Sequence, residues 1–254
     1  MKFFVFITVR TSSSRLPQKC LLPINGRRVI EHVIDRAKLI KRTAGVVVCT
    51  STESEDEILE IIAREKGVLC FKGSLKDKLG RYRDAALKFG ADYAVLFDGD
   101  DLFCDPEINE SAIRQMIAEP CDFLKPPAGL VPGALDFIIS APAIKKACEL
   151  KDTDDTEMYE IYFSDSKLFK IRELRVNDPI FFNDHARLTL DYQEDLDFFR
   201  RVFDELGTGV NDVPLRKIMK LLNDKPEIAQ INLFRHQDYL AKRELMRASK
   251  KVKV

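Results

Sequence analysis

The sequence lacks the features that define several large protein classes. Its 254 residues contain no apolar run close to the roughly 20 residues that cross a bilayer, so we predict no membrane span. Lysine plus arginine equals aspartate plus glutamate, 41 each, so no basic field indicates a nucleic-acid partner. The six cysteines are scattered singly, without a Cys-x-x-Cys pair or a Cys/His cluster. Neither zinc nor a disulfide framework is indicated, and a reducing cytoplasm fits best.

Common nucleotide-binding and hydrolase motifs are also missing. No G-x-x-x-x-G-K-[ST] segment is present, which argues against a P-loop NTPase. No G-x-G-x-x-G follows a strand, which argues against a Rossmann dehydrogenase. The three histidines do not support a Ser-His-Asp arrangement from their spacing, and the serines at 12–14 lack a nucleophile-elbow context.

Strand and helix patterns alternate through residues 1–120. Repeated β-α-β units with right-handed crossovers predict an α/β fold with a doubly wound, mainly parallel sheet. Ligands of such sheets bind beyond the carboxyl ends of the strands. Ser54 with Glu57 matches a capping box that would open the second helix. The strands are predicted from apolar runs at 3–9, 45–50, 68–71 and 93–97.

The pattern becomes mixed from residue 121 onward. Prolines and glycines at 126–133 predict an irregular segment. No internal repeat or linker is evident, so we predict one domain over 1–254, with a first half at 1–120 and an elaborated second half at 121–254. The basic tail at 242–254 is predicted to begin as a helix. Further predicted elements are strands at 135–140, 168–176 and 187–190 and helices at 193–206 and 214–223.

A loop of small and basic residues, RTSSSRLPQK at 10–19, follows the first strand directly. Small residues leaving the carboxyl end of a strand can turn several backbone N–H groups toward one point. Arg10, Arg15 and Lys19 would add three fixed cations around that point. The segment therefore predicts a polyphosphate receptor, although the loop alone is equally consistent with a solvated surface loop.

Three aspartates follow the strand at 93–97, within the segment DGDD. Asp98, Asp100 and Asp101 would lie at the same sheet edge as the basic loop. Clustered carboxylates repel one another unless a cation shares the site. Magnesium takes one or two carboxylates together with water and phosphate oxygens. We favour magnesium over a simple acidic turn because a polyphosphate bound by the basic loop would independently need a cation nearby.

Two other aspartates have readings as helix caps. Asp105 stands before Pro106 and is predicted to be an N-cap, outside the site. Asp191 follows the strand-like ARLTL, and Glu194 stands three residues later, which also resembles a cap. A cap alone would not require Asp191 to face the DGDD turn, and the sequence leaves both readings open.

Four segments, in order, resemble the sugar-acid cytidylyltransferases. The resemblance is closest to the spore coat polysaccharide biosynthesis protein F branch, whose relatives include the enzymes that make CMP-Kdo and CMP-sialic acid. It covers most of the chain. That branch has the patterns G-S-x-x-D-x-L-x-R-Y, T-G-D-x-P-L-x-D-P and R-x-T-x-D-x-P-E-D-L after its first motif. The matching segments here are RTSSSRLPQKCLLPINGRRVIEHVIDR at 10–36, GSLKDKLGRYRDAA at 73–86, DGDDLFCDP at 98–106 and RLTLDYQEDL at 187–196.

The resemblance implies a nucleotide-diphospho-sugar transferase-like fold and an enzyme that transfers CMP from CTP to a sugar acid or related acceptor. Pyrophosphate would leave as the anomeric hydroxyl attacks the α-phosphate in line. The product would serve surface polysaccharide synthesis. Arg10, Lys19 and Asp100 would be catalytic, and Asp100 and Asp191 would bind Mg²⁺. The nucleotide-binding residues that the resemblance implies are Arg10, Thr11, Ser12, Ser13, Arg15, Lys19, Arg81 and Asp98.

The chain departs from the family pattern at three places. Leu102-Phe103 stand where the branch usually has Pro-Leu, and Gln193 replaces a proline. Thr156-Glu157-Met158 occupies the region where relatives carry a histidine segment. The resemblance implies that 121–254 binds the acceptor and forms a homodimer, and these departures leave the acceptor open.

Two other functions remain compatible with the sequence. A glycosyltransferase of similar architecture would use Asp98-Gly99-Asp100 as a D-x-D motif for a nucleotide sugar, but it leaves the loop at 10–19 without a purpose. A non-catalytic nucleotide-binding homologue would fit the altered second half. Release of pyrophosphate from CTP would distinguish the cytidylyltransferase from both.

Overall fold

The computed structural model describes residues 1–164, 166–207 and 212–248. Seven strands form one central sheet, and a two-stranded hairpin lies apart from it. The hairpin pairs β2 (Pro23–Ile24) with β3 (Arg27–Arg28). The strands of the central sheet are β1 (Phe3–Thr8), β4 (Gly45–Ser51), β5 (Leu69–Gly73), β6 (Tyr93–Asp98), β7 (Phe123–Lys125), β8 (Ile138–Ser140) and β9 (Ile171–Glu173).

Helices pack on both faces of this sheet. Single 3-10 turns precede or join them at Lys19–Leu21, Ser54–Asp56 and Pro179–Phe181. The helices are α1 (Val29–Ala37), α2 (Glu57–Glu65), α3 (Lys78–Phe89), α4 (Pro106–Ala118), α5 (Ala141–Leu150), α6 (Ile161–Ser164), α7 (Gln193–Leu206), α8 (Leu215–Asp224), α9 (Pro226–Leu233) and α10 (Arg235–Ala248).

The central strands are parallel and buried on both faces. The spatial order is β5-β4-β1-β6-β8-β7-β9, and β1 pairs in parallel with both β4 and β6. Alternate residues of β1 enter two separate apolar clusters: Val5 and Ile7 join one, and Phe4 and Phe6 join the other. This two-sided burial explains the continuous apolar run in the sequence. The predicted α/β fold with a mainly parallel sheet is confirmed.

The second half extends the same sheet with short strands. β8 is antiparallel to β6 and β7, and β7 is parallel to β9. The strand predicted at 168–176 shortens to β9. The strand predicted at 187–190 is wrong. Its backbone is buried and makes isolated hydrogen bonds instead of a ladder: Leu188 N–H donates to the Pro132 carbonyl at 3.1 Å, and Leu190 N–H donates to the Asp100 carbonyl at 3.0 Å.

The helix starts agree with the sequence in one case and differ in two. Asp105 caps α4, because its carboxylate accepts the Ile108 N–H at 2.9 Å. The capping box predicted at Ser54 and Glu57 is wrong, since the Ser54 hydroxyl donates to Glu55 within a 3-10 turn.

The start of α7 also differs from the cap that the sequence left open. Tyr192, and not Asp191, is the N-cap of α7, and the Tyr192 N–H donates to Asp195 at 2.9 Å. The predicted helix of the basic tail continues to Ala248, and residues 249–254 lie outside the described residues. Among the described helices, none combines the length and apolarity that a bilayer crossing requires.

Candidate active site

The basic loop and the acidic turn leave the sheet side by side. Thr8 of β1 pairs with Asp98 of β6, so both strands end at one edge. The Gly99 N–H donates to the Thr8 carbonyl at 2.8 Å and holds the two segments together. A Cβ atom added at Gly99 would lie 2.7 Å from the Cβ of Val9, so only glycine permits this approach.

Asp56 anchors the first turn of the basic loop. The backbone N–H and the hydroxyl of Thr11 both donate to one oxygen of Asp56 at 2.7 Å, and the Ser51 hydroxyl donates to the other at 2.5 Å. Burial opposes the charge, but these hydrogen bonds lower the pKa of Asp56, so it is ionised at neutral pH. Thr11 was predicted to bind the nucleotide, but its backbone N–H and its hydroxyl already donate to Asp56.

The next residues of the loop have free donors. Ser12 is exposed and Ser13 is half-buried. Neither backbone N–H donates to an acceptor within the described part of the chain. These two amides are therefore free to bind an anion beside the basic side chains.

Lys19 brings the two distant aspartates together. Its ammonium contacts a carboxylate oxygen of Asp100, donates to Asp191 Oδ1 at 2.9 Å and donates to the Leu190 carbonyl at 2.7 Å. Arg15 contacts the same Asp191 oxygen. Four predicted site residues, separated by up to 176 positions in sequence, thus form one cluster.

Burial and mutual charge determine the ionisation of this cluster. Burial disfavours the Lys19 ammonium, but Asp100 and Asp191 outweigh that cost and raise its pKa, so it stays charged. Burial likewise opposes the Asp191 carboxylate, yet Lys19 and Arg15 lower its pKa. Asp100 has a raised pKa, because burial and the neighbouring Asp191 outweigh the attraction of Lys19.

The aspartates of the DGDD turn form a compact group of oxygen ligands. One carboxylate oxygen from each of Asp98, Asp100 and Asp101 lies within 4.8 Å of the others. Burial and the charges of Asp100 and Asp98 raise the pKa of Asp101 well above its usual value. Ionisation of all three carboxylates together is therefore unfavourable unless a further cation shares the turn.

Arg10 and Arg81, both predicted to bind nucleotide, make no hydrogen bond or ion pair with the Lys19 cluster among the described residues. Arg10 forms an ion pair with Glu157 at 3.4 Å, which connects the basic loop to the segment that departs from the family pattern. Arg81 is buried on α3 and donates to the Ser74 carbonyl at 3.0 Å. No hydrogen bond of Arg81 within the described residues reaches the Lys19 cluster.

Lys78, Tyr159 and Asp136 were not predicted as site residues, and they lie next to the predicted Asp98. The buried Lys78 ammonium donates to Asp98 at 2.8 Å and lies 5.0 Å from the centre of the Tyr159 ring. The Tyr159 hydroxyl donates to Asp136 at 3.4 Å. The sequence signal that could have indicated Asp136 is its position as the one acidic residue in the apolar run LDFIIS. Lys78 lies within a recognised motif, but at a position that the motif leaves open.

Asp56→Asn should loosen the basic loop. One amide oxygen cannot accept all the bonds that Thr11 and Ser51 now donate, so we expect a loss of about 1–2 kcal/mol of folding stability and weaker CTP binding. Thermal denaturation and calorimetry with CTP measure the two effects. Asp35→Asn is the matched control, because Asp35 pairs with Arg27 and Lys66 away from the loop. Unchanged CTP affinity in Asp56→Asn would show that the anchor is not needed.

This fold, with a basic loop and an acidic turn at one edge, is the arrangement expected of a nucleotidyltransferase of the nucleotide-diphospho-sugar transferase fold. Comparison with known families is consistent with that class. The family model described as cytidylyltransferase matches residues 4–240. The chain belongs to the cytidylyltransferase family, and the glycosyltransferase alternative is set aside.

Named relatives include two curated proteins and one solved structure. The chain is 24% identical over 233 residues to the spore coat polysaccharide biosynthesis protein SpsF of Bacillus subtilis, covering 88% of this chain and 95% of SpsF. It is 28% identical over 171 residues, 66% of each chain, to the 8-amino-3,8-dideoxy-manno-octulosonate cytidylyltransferase of Shewanella sp. strain W3-18-1. A cytidylyltransferase structure from Leptospira borgpetersenii superposes with a TM-score of 0.83 at 25% identity, covering 91% of this chain and 97% of that one.

Proposed function

We propose that this protein is a Mg²⁺-dependent cytidylyltransferase that transfers CMP from CTP to a sugar acid or related acceptor and releases pyrophosphate. The observation that carries the proposal is the Lys19 ammonium in contact with both Asp100 and Asp191. This contact unites the basic loop and the two acids in one site. The two curated relatives support a sugar-acid acceptor and a role in surface polysaccharide synthesis.

The donor set supports a magnesium ion at this edge. Carboxylate oxygens are the ligands that magnesium prefers, and the Asp98, Asp100 and Asp101 oxygens lie within 4.8 Å of one another. Asp191 lies outside that group, but one oxygen of Asp191 and one of Asp100 share the Lys19 ammonium, so we propose that Asp100 and Asp191 would hold the ion. When bound, it would neutralise charge on the phosphate oxygens and lower the pKa of the attacking hydroxyl.

The cations of the loop would exchange partners when CTP binds. Each one is paired here with a carboxylate of the protein: Arg10 with Glu157, Arg15 with Asp191, and Lys19 with Asp100 and Asp191. Phosphate oxygens form strong charge-assisted bonds with the same groups. Transfer of Lys19 and Arg15 to the triphosphate would release the two acids for the metal. CTP and the metal should therefore bind with positive coupling.

The side chains at this edge would act by positioning and charge. Arg10, Arg15 and Lys19 would hold the triphosphate in line with the acceptor hydroxyl and stabilise the leaving pyrophosphate. The free amides of Ser12 and Ser13 would also bind phosphate oxygens. This chemistry requires no protein nucleophile.

The acceptor would lie on the second-half side of Asp98. Three side chains from residues 121–254 lie near this edge of the sheet. Glu157 pairs with Arg10, the Tyr159 ring lies beside the Lys78 ammonium, and Asp136 accepts the Tyr159 hydroxyl. Burial and the charge of Asp98 raise the pKa of Asp136 well above its usual value. Hydroxyl and amino groups of an acceptor are suitable partners for such a group.

The cell compartment and the assembly also belong to this proposal. All six cysteines are free thiols, which supports a reducing compartment such as the cytoplasm. We retain the homodimer on the family resemblance alone. Balanced charge supports small-molecule partners over nucleic acid.

A pyrophosphate-release assay tests the proposed reaction. The purified protein is incubated with CTP, Mg²⁺ and a panel of sugar acids, including amino sugar acids, with ATP, GTP and UTP in parallel. We expect release of pyrophosphate with CTP and at least one sugar acid, and none after chelation by EDTA. Metal-independent release, or turnover of an intact nucleotide sugar without pyrophosphate, would contradict the proposal.

A further inference from the structure

Arg187 is a fully buried side chain directly behind Asp191. Its Nη2 donates to Asp191 Oδ2 at 2.8 Å, and its Nε donates to Asp195 Oδ1 at 3.1 Å. The other Asp191 oxygen, Oδ1, faces Lys19 and Arg15. The two oxygens of Asp191 thus have separate partners, one in the protein interior and one in the candidate active site.

Helices of the second half hold Arg187 in this orientation. Asn232 of α9 donates to the Arg187 carbonyl at 3.0 Å and to Asp195 at 2.9 Å. The Tyr239 ring of α10 lies 5.1 Å from the Arg187 guanidinium. The orientation of Asp191 therefore depends on α7, α9 and α10, which lie behind it.

Stability alone does not account for a buried arginine here. Its Nη1 is buried without an acceptor among the described residues, and an unmet buried donor destabilises a fold. Replacing buried ion pairs by well-packed apolar residues is often neutral or stabilising. A directional hold on one carboxylate oxygen is what arginine supplies and an apolar residue does not.

We propose that Arg187 is a positioning residue for the metal ligand Asp191. By fixing Oδ2, it leaves Oδ1 as the one oxygen presented to the cation and sets the direction of its lone pairs. The inference rests on the proposed function, because it requires Asp191 to bind a divalent cation. Groups that orient a metal ligand from behind contribute strongly to metal affinity.

The test is the affinity for Mn²⁺ of the full chain in the presence of CTP, measured from the electron paramagnetic resonance signal of free Mn²⁺. Arg187→Lys retains the charge but loses the two-pronged contact, and we expect Mn²⁺ to bind about 10–100-fold more weakly. Arg36→Lys is the matched control. Arg36 is also buried, with contacts to the Cys104 carbonyl at 2.9 Å and to Asp105 at 3.4 Å. The Arg36→Lys protein should lose about as much thermal stability as the Arg187→Lys protein, and its affinity for Mn²⁺ should be unchanged.

A second set of variants separates the two ways in which the proposal can fail. Unchanged Mn²⁺ affinity in Asp191→Asn would show that Asp191 is not a metal ligand, whatever the effect of Arg187→Lys. Loss of Mn²⁺ binding in Asp191→Asn together with wild-type affinity in Arg187→Lys would overturn the positioning role alone. In the Asp191→Asn background, Arg187→Lys should cause no further loss.

Tyr239→Leu provides the answer if Arg187→Lys does not fold. This change removes the ring over the guanidinium and leaves every ion pair of Arg187 in place. We expect several-fold weaker Mn²⁺ binding in a folded protein. If folded Tyr239→Leu binds Mn²⁺ with wild-type affinity, the proposed support from α10 is overturned. If Arg187→Lys does not fold, the same result overturns the inference itself.

Discussion

Asp100→Asn should reduce pyrophosphate release by about 10²–10³-fold, because the substituted amide retains the shape of the side chain and loses its charge. The charge is what a divalent cation at this edge requires. Binding of CTP without metal should be retained or become tighter, since Lys19 loses a carboxylate that competes with phosphate. Steady-state release of pyrophosphate and calorimetry in EDTA measure the two effects.

The control for this prediction is Asp122→Asn. Asp122 accepts the Lys170 N–H at 2.8 Å, away from the site, so activity should remain near that of the wild type. Mg²⁺-dependent turnover in Asp100→Asn at a rate near the wild type would exclude Asp100 as a metal ligand.

Lys19→Met should weaken the binding of CTP and strengthen the binding of Mg²⁺. The triphosphate loses its central cation, so CTP binding should weaken by about 10²-fold, within the range for a lost contact between buried charges. Asp100 and Asp191 lose the ammonium between them and should bind Mg²⁺ without CTP more tightly than in the wild type. Isothermal titration with each ligand separately measures both changes.

The same substitution should affect stability in a metal-dependent way. In EDTA the melting temperature should fall, because two half-buried or buried carboxylates lose their shared counter-ion. Adding Mg²⁺ should raise it more than it raises that of the wild type. Lys66→Met, which removes a partner of Asp35 elsewhere, is the control and should show no metal-dependent recovery. A Lys19→Met protein that melts like the wild type in EDTA would contradict the exchange of partners.

Most of the central fold could be predicted from apolar patterning. Strands buried on both faces give continuous apolar runs, which the segments at 3–9 and 45–50 show. The error at 187–190 has the same origin. Its leucines are buried, but the backbone bonds singly to Pro132 and Asp100, and burial alone does not distinguish a strand from a buried extended segment. At Ser54 a local motif was outweighed by a long-range contact, since Asp56 turns toward Thr11.

The meeting of Lys19, Asp100 and Asp191 followed from topology and family resemblance together. Parallel strands end at one edge, which brought the loop and the DGDD turn together, and the resemblance added Asp191. Asp56 and Lys78 were missed because their partners Thr11 and Asp98 are distant in sequence, and no local pattern distinguished them. Arg187 opens the motif RLTLDYQEDL and stands four residues before Asp191, but the sequence does not show that its side chain is buried against that carboxylate.

A crystal structure of the protein with CTP and Mn²⁺, with anomalous diffraction from the manganese, tests the central claim most directly. We expect an anomalous peak within about 2.2 Å of carboxylate oxygens from both Asp100 and Asp191, with the Lys19 ammonium on the triphosphate. A manganese ion bound elsewhere, with Lys19 still between the two acids, would contradict the account.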